Sequence, residues 1–201
     1  MEEEDLIHRI FAELNDAKIS QLLEYSRLLK NWNEKINLVS RKDVKNFIEK
    51  HIIPCLAITR VANFSAGETV LDIGTGGGLP GIPLAIACGS TNFTLVDSIG
   101  KKIRAVNAMI GEIGLENARA ITSRAEALPG RFDKIVARAV TNLVDFSKYA
   151  QKLLNPNGRI FYLKGGDCLE DLKLLKTCKL HSMSQLTGGE KFAGKVIVEI
   201  F

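Results

Sequence analysis

The sequence predicts an α/β fold: a mostly parallel seven-stranded sheet with helices on both faces, an antiparallel C-terminal hairpin and an N-terminal helical extension. Three observations carry this. From Glu68 onward, short apolar runs alternate with segments of helical period, the pattern of a sheet built by strand–helix–strand crossovers. The tail holds two strand-like runs joined by the turn Gly188–Gly189, with no helix between them. The first 60 residues show helical spacing throughout, which divides the chain into an extension over residues 1–60 and one compact unit over residues 61–201.

In chain order, Leu6, Ile7, Ile10, Phe11 and Leu14 form one helical stripe, and Ile19, Leu22, Leu23, Leu29, Trp32 and Ile36 a second. A third helix is expected to start at Asp43, a good N-cap, and to run toward Pro54. "TVLDI" reads as a buried strand, and the helix through "IPLAIA" stops at Gly89. "FTLVD", "ARAIT" and "KIVARAV" are the next strands, with helices over Lys101–Ile113 and Leu143–Leu153. Pro156–Asn157–Gly158 is a turn into the fifth strand, "RIFYLK", and a further helix is expected over Leu169–Cys178. The terminal strands fall at His181–Leu186 and Lys195–Ile200.

A chain of 201 residues, 46% apolar, can bury a core without covalent staples. No run approaches the roughly 20 apolar residues that a membrane span needs. The acidic start, Met1 to Asp5, lacks the pattern of a secretory signal, so a cytoplasmic location is expected. Cys55, Cys88, Cys168 and Cys178 are too scattered for a zinc site or a disulfide frame, and His8, His51 and His181 share no ligand spacing, so no metal is expected. The histidines read as surface or helix-packing residues, and Trp32 as core. A net charge of +4, from 27 basic and 23 acidic residues, permits a nucleic-acid partner without requiring one.

In open sheets of this kind, ligands sit at the carboxyl ends of the strands. The most informative such segment is "LDIGTGGGLPG", Leu71 to Gly81. Gly76, Gly78 and Gly81 satisfy G-x-G-x-x-G, which fits a dinucleotide as well as S-adenosylmethionine. The neighbours favour the second. Asp72 has the wrong charge for a pyrophosphate and the right one for the α-ammonium of a bound amino acid. Pro80 and Pro83 remove N–H donors from the helix N-terminus on which a phosphate would depend. Asp97, at the end of the second strand, can accept both hydroxyls of an adenosine ribose in either case. The motif D-x-G-x-G-x-G (Asp72, Gly74, Gly76, Gly78) with Asp97 therefore points to a class I, Rossmann-like methyltransferase fold. A nucleotide- or dinucleotide-binding protein without methyl transfer is the alternative.

After the fourth strand comes "ARAV", Ala137 to Val140, with neither an amine clamp nor a nucleophilic cysteine. That arginine, Arg138, is costly behind a buried strand unless it serves a ligand or pairs with Glu126 or Asp97. "NLVS" (Asn37–Ser40), "LDIGTGGGLPGIPLAI", "TLVDSIGKKIRAV", "TSRAE" (Thr122–Glu126), "ARAV" and "LKGG" (Leu163–Gly166) follow the order and spacing of the RsmG/GidB family. The chain resembles these bacterial methyltransferases of small-subunit ribosomal RNA from about Leu22 to about Gly166. The resemblance implies methylation of nitrogen 7 of guanine 527 in 16S rRNA, with S-adenosylmethionine as donor; another structured RNA is the alternative substrate. It implies that Gly74 and Leu79 contact the cofactor, that Ala125 and Glu126 flank its adenine, and that Arg138 serves the site. Asp72 and Asp97 join them from the strand-end argument, and Arg138 and Lys164 are the candidate residues of the substrate pocket.

The family's usual "KR..FL" is here Lys101–Lys102 and Ala105–Val106, which keeps charge but loses a guanidinium fork. Lys101, Lys102 and Arg104 crowd a helix start, where cations oppose the dipole, so RNA phosphate is their expected partner. Lys42 and Lys45 are expected to contact RNA as well. A monomer is expected, since no extra apolar face stands out.

Overall fold

The computed structural model describes residues 2–40, 45–165, 174–175 and 177–201. Seven strands form one sheet in the order β3-β2-β1-β4-β5-β7-β6. They are β1 (Thr69–Ile73), β2 (Asn92–Asp97), β3 (Ala118–Thr122), β4 (Phe132–Arg138), β5 (Leu154–Gly165), β6 (Cys178–Ser182) and β7 (Lys195–Ile200). Pairing from β3 to β5 is parallel, and β7 runs antiparallel to both β5 and β6.

Side-chain alternation along each strand explains the layers. Val70, Leu95, Val136 and Phe161 point into one apolar cluster; Leu71, Ile73, Val96, Ile135, Ala137, Ile160 and Tyr162 point into the other. On the first face pack α1 (Glu2–Ile10), α2 (Asp16–Lys35), α3 (Ile53–Leu56), α5 (Gly81–Ala87) and α6 (Gly100–Ile113), and near α3 lies the short α4 (Thr59–Ala62). On the second face α7 (Leu143–Ala150) buries Leu143, Phe146 and Ala150. Asn15 caps α2 through its side chain, which accepts from Lys18 N–H, and Asn142 caps α7 through Asp145 N–H.

Four local expectations are corrected. The segment ahead of Pro54 is a π-helical turn, Ile48–Ile52, that runs directly into α3, so the proline lies at the junction of the π turn and α3, not beyond the end of a helix. Pro156–Asn157–Gly158 lies inside β5: Leu154 pairs with Phe132, the register shifts, and pairing resumes at Arg159 opposite Lys134, with Asn157 at φ +66°. The first terminal strand is Cys178–Ser182, and the expected strand residues Met183–Leu186 belong instead to α8 (Met183–Thr187). Cys178, expected at the end of a helix, opens that strand; the rest of the helix expected from Leu169, and the N-cap at Asp43, lie outside the described residues apart from Leu174, Leu175 and Thr177, which are not helical. No helix among the described residues is long and apolar enough to cross a membrane.

Candidate active site

The order of strands reverses between β1 and β4, so the crevice opens where the loops after those two strands diverge. The β1 loop takes three positive backbone angles, at Gly74 (φ +68°), Gly76 (φ +58°) and Gly78 (φ +101°), which a side chain at those positions would resist. It crosses to the β4 loop at Gly74, where an added Cβ would lie 2.9 Å from a methyl group of Val140. Val140 is itself held by Tyr162, whose hydroxyl accepts from Val140 N–H at 3.0 Å and donates to Thr141 C=O at 3.0 Å.

The glycines do two different jobs. Gly77 is pressed by Leu29 and Leu38, Gly78 by Ile82 and the Tyr25 hydroxyl, and Gly81 by Asp72 and Leu95, so here the close neighbour is the protein. Gly76 alone of the four loop glycines meets nothing nearer than 3.8 Å, and both atoms there are backbone oxygens. Room for a ligand against the loop is therefore left at Gly76.

Asp72 lies on the heavily covered face, between Leu95 and Val136 of the adjacent strands, and is fully buried. Its Oδ2 accepts from the Thr75 hydroxyl at 2.6 Å and from Gly81 N–H at 2.8 Å, tying the start of the loop to the start of α5. Oδ1 is buried with no hydrogen-bond partner. Burial dominates over these two bonds and pushes the carboxyl up to about 7, with Asp97 adding to the rise and Arg138 opposing it.

Asp97 closes β2 and is 7% exposed. Its Oδ2 accepts from Gly76 N–H at 3.1 Å and its Oδ1 from Ile99 N–H at 2.9 Å, which holds the carboxylate beside the open part of the loop. Lys102 Nζ stands 3.7 Å away, so the structure turns this lysine toward the acid. Ile99 is 41% exposed, an apolar surface two residues past Asp97. Ser123 N–H donates to Asp97 C=O, bringing the end of β3 alongside; Ala125 follows, buried in a 3₁₀ turn (Ala125–Ala127), while Glu126 is exposed. Open loop backbone, a carboxylate at the strand end and adjacent apolar surface fit an adenosine-type cofactor. Leu79 is buried after the loop glycines.

The second part of the crevice is a cavity of about 380 Å³ beyond the ends of β4 and β5, lined by Arg138, Ala139, Leu163, Lys164, Gly165, Lys50, His51, Pro54, Met183 and Lys195. The structure thus brings Arg138 and Lys164, the two candidate substrate-pocket residues, to the wall of one cavity. The partner of Arg138 is a correction: the guanidinium contacts His51 Nδ1, and neither Glu126 nor Asp97 is its hydrogen-bonding partner. His51 is 4% exposed and belongs to the pocket wall, where the sequence suggested a surface or packing residue. Lys101 and Arg104 are exposed on α6, Lys45 is exposed ahead of the π turn, and Lys42 lies outside the described residues. Among the described residues no three His, Cys, Asp or Glu side chains are placed to hold a metal ion.

Several supporting residues carry no sequence signal of their own. Asn33 is buried in α2, and its Oδ1 accepts from Leu38 and Val39 N–H at 2.8 and 3.0 Å, folding the "NLVS" segment onto Gly77. Tyr25, also in α2, donates its hydroxyl to Gly77 C=O at 2.9 Å. Tyr25→Phe leaves that carbonyl without its partner, and a loss of about 1–2 kcal/mol is expected in urea unfolding, with weaker S-adenosylhomocysteine binding by calorimetry. Unchanged values for both would show that the loop does not depend on α2.

Comparison with known proteins bears on the fold and the family. Among solved structures, the chain is similar to the ribosomal protein L11 methylase of Lactobacillus delbrueckii subsp. bulgaricus (20% identity, TM-score 0.56, covering 74% of this chain and 76% of that one). It is also similar to a SAM-dependent methyltransferase of Geobacter sulfurreducens in complex with S-adenosyl-L-homocysteine (16% identity, TM-score 0.50, 64% and 49%). These likenesses establish a Rossmann-like methyltransferase fold. A ribosomal RNA small subunit methyltransferase G of Flavobacterium johnsoniae is 43% identical over 98% of this chain and 97% of its own. One of Chlorobaculum tepidum is 51% identical over 77% and 71%. S-adenosylmethionine is the cofactor of this family. Residues 18–192, from α2 through the glycine loop and the Arg138 pocket to the 3₁₀ turn before β7, match the family profile GidB, described as rRNA small subunit methyltransferase G, and the chain belongs to that family.

Proposed function

We propose that the protein transfers a methyl group from S-adenosylmethionine to nitrogen 7 of guanine 527 in the 16S rRNA of the small ribosomal subunit. The observation that carries this is the acceptor cavity. Its described lining holds three lysines, Arg138 and His51, but no carboxylate and no cysteine. Covalent activation of a ring carbon would need a cysteine, and a nucleophile that had to lose a proton would need a base, whereas the one imidazole in this lining has its Nδ1 engaged by Arg138. Guanine N7 needs neither, because its lone pair is free and bears no hydrogen.

Bound S-adenosylmethionine supplies an electrophilic methyl carbon. The N7 lone pair forms the new N–C bond as the C–S bond breaks, its electrons stay on sulfur, and the purine takes the positive charge. The chain's residues orient rather than exchange protons. Gly76 leaves backbone open for the cofactor, Asp97 accepts its ribose hydroxyls, Ile99 and Ala125 offer apolar surface to the adenine, and Gly74, Gly78 and Leu79 shape the loop. Glu126 stands at the adenine edge. Asp72 acts on the cofactor through the loop it braces and through its charge. Arg138 and Lys164 contact the guanine nucleotide, and Lys50 and Lys195 favour its phosphates, as do Lys101, Arg104 and Lys45 at the periphery; Lys42 is assigned to RNA from the sequence alone. Lys102 is shared between Asp97 and the RNA side.

The test is mass-spectrometric mapping of 16S rRNA from cells with and without the gene, and after complementation. The expected result is loss of 7-methylguanine at position 527 on deletion and its return on complementation. Persistence of the modification after deletion would overturn the assignment.

A further inference from the structure

We infer that His51 is a positioning residue: a neutral imidazole whose Nδ1 accepts a hydrogen bond from Arg138 and fixes that guanidinium in the pocket for the guanine nucleotide. This rests on the acceptor-pocket reading given above.

The placement of His51 is unusual for a packing residue. It lies on the π-helical turn, where Ile53 N–H reaches back five residues to Ile48 C=O. Such turns insert one residue into a helix, rotate side chains out of α register and are frequent at functional sites. Among the buried side chains of Ile48, Ile52 and Ile53, the sequence places an imidazole that is 4% exposed. Its ring lies against Phe47, with centroids 5.0 Å apart and planes at 49°, and Phe47 in turn meets Tyr25 edge-on at 6.1 Å. The aromatic neighbours hold the ring; its Nδ1 faces Arg138 Nη2.

The chemistry of that contact has one direction. A guanidinium only donates, so Nδ1 must accept, which puts the imidazole proton on Nε2 and requires the ring to be neutral. A free arginine side chain samples many rotamers, and each must be given up on binding. With one N–H engaged by a buried acceptor, Arg138 keeps its remaining donors in a fixed plane for an acceptor oxygen of the substrate. Guanine O6 is such an atom, and contact there leaves N7 unobstructed for methyl transfer.

Two measurements test this. The first is kinetic, on small subunits from the deletion strain. His51→Phe is expected to lower kcat/KM by roughly 30- to 100-fold, the scale of a misplaced orienting group, while the S-adenosylhomocysteine Kd stays within about twofold. His51→Asn, whose Oδ1 can replace Nδ1, is expected to recover about tenfold of that loss. Wild-type-like activity of His51→Phe, or an asparagine variant no better than phenylalanine at equal melting temperature, overturns the proposal. The second needs neither activity nor a substituted histidine. Nitrogen-15 NMR of the wild type should show His51 as the Nε2-protonated tautomer, with the Nδ1 resonance moving in Arg138→Gln; an Nδ1-protonated ring overturns the proposal even if the phenylalanine variant does not fold. Should the wild-type protein leave guanine 527 unmodified while the tautomer is as stated, the reading of the pocket falls and the positioning of Arg138 stands.

Discussion

Gly78→Ala is expected to destabilise the protein by about 2–5 kcal/mol and to remove measurable S-adenosylhomocysteine binding. Two costs add at this position. The backbone sits at φ +101°, where an L side chain is strained, and the new Cβ would lie 2.5 and 2.9 Å from Ile82 and 3.3 Å from the Tyr25 hydroxyl. Neither neighbour can give way, since both side chains are fully buried. If the loop moves instead, it carries Gly77 C=O away from Tyr25 and Gly76 N–H away from Asp97, and so dismantles the cofactor's seat. At about 2–4 °C per kcal/mol for a chain of this size, the melting temperature should fall by roughly 5–20 °C. Gly111→Ala is the matched control. Gly111 is exposed in the interior of α6 with nothing within 4 Å of its added Cβ, and that substitution should stabilise by about 0.5–1 kcal/mol with no change in binding. Equal melting temperatures for the two variants would refute the packing role assigned to the loop glycines.

What could be read from the sequence was whatever depends on near neighbours. Short apolar runs such as "TVLDI" and "FTLVD" placed the strands, and Asp97 at the end of the second marked the crevice. The antiparallel end of the sheet was legible from two strand-like runs close together in the chain, although the connection expected to be free of helix contains α8 and a 3₁₀ turn. Features set by distant partners were not. Nothing near His51 in the chain announces Arg138, 87 residues away, and Tyr25 is 52 residues from the carbonyl it holds. The π turn hides behind a spacing that an ordinary helix would share. The "SMSQL" segment alternates like a strand, yet Met183 is buried beneath a helical turn that Ser182 begins. The glycine loop was legible in kind and misattributed in part: several of its glycines make room for α2, Ile82 and Asp72, a demand visible only once the helices are packed.

Asp72→Asn is expected to change the pH dependence of stability more than any other single substitution. The native carboxyl titrates near 7 against 3.8 for an ordinary aspartate, because burial penalises the charged form. Between those values the folded protein holds a proton that the unfolded chain has released. Stability therefore falls as pH rises through that window, and the penalty is complete only above about 7. A shift of this size corresponds to about 4 kcal/mol over the whole window, of which the larger part falls above pH 5. An asparagine carbonyl can still accept from Thr75 and Gly81, and it carries no charge. Relative to the wild type, the variant should thus gain roughly 2–4 kcal/mol between pH 5 and pH 8.5 in urea unfolding; parallel pH curves for the two proteins would show that Asp72 is not the titrating group. The same substitution separates bracing from charge. If Asp72 only ties Thr75 to Gly81, the amide preserves cofactor affinity. If its negative charge also attracts the cationic amino-acid end of the cofactor, affinity at pH 8 should drop on the order of tenfold, with little change at pH 5, where the native carboxyl is already neutral. A site that keeps a buried carboxylate where an amide would be more stable is trading stability for function, and the affinity measured at the two pH values identifies what it receives in return.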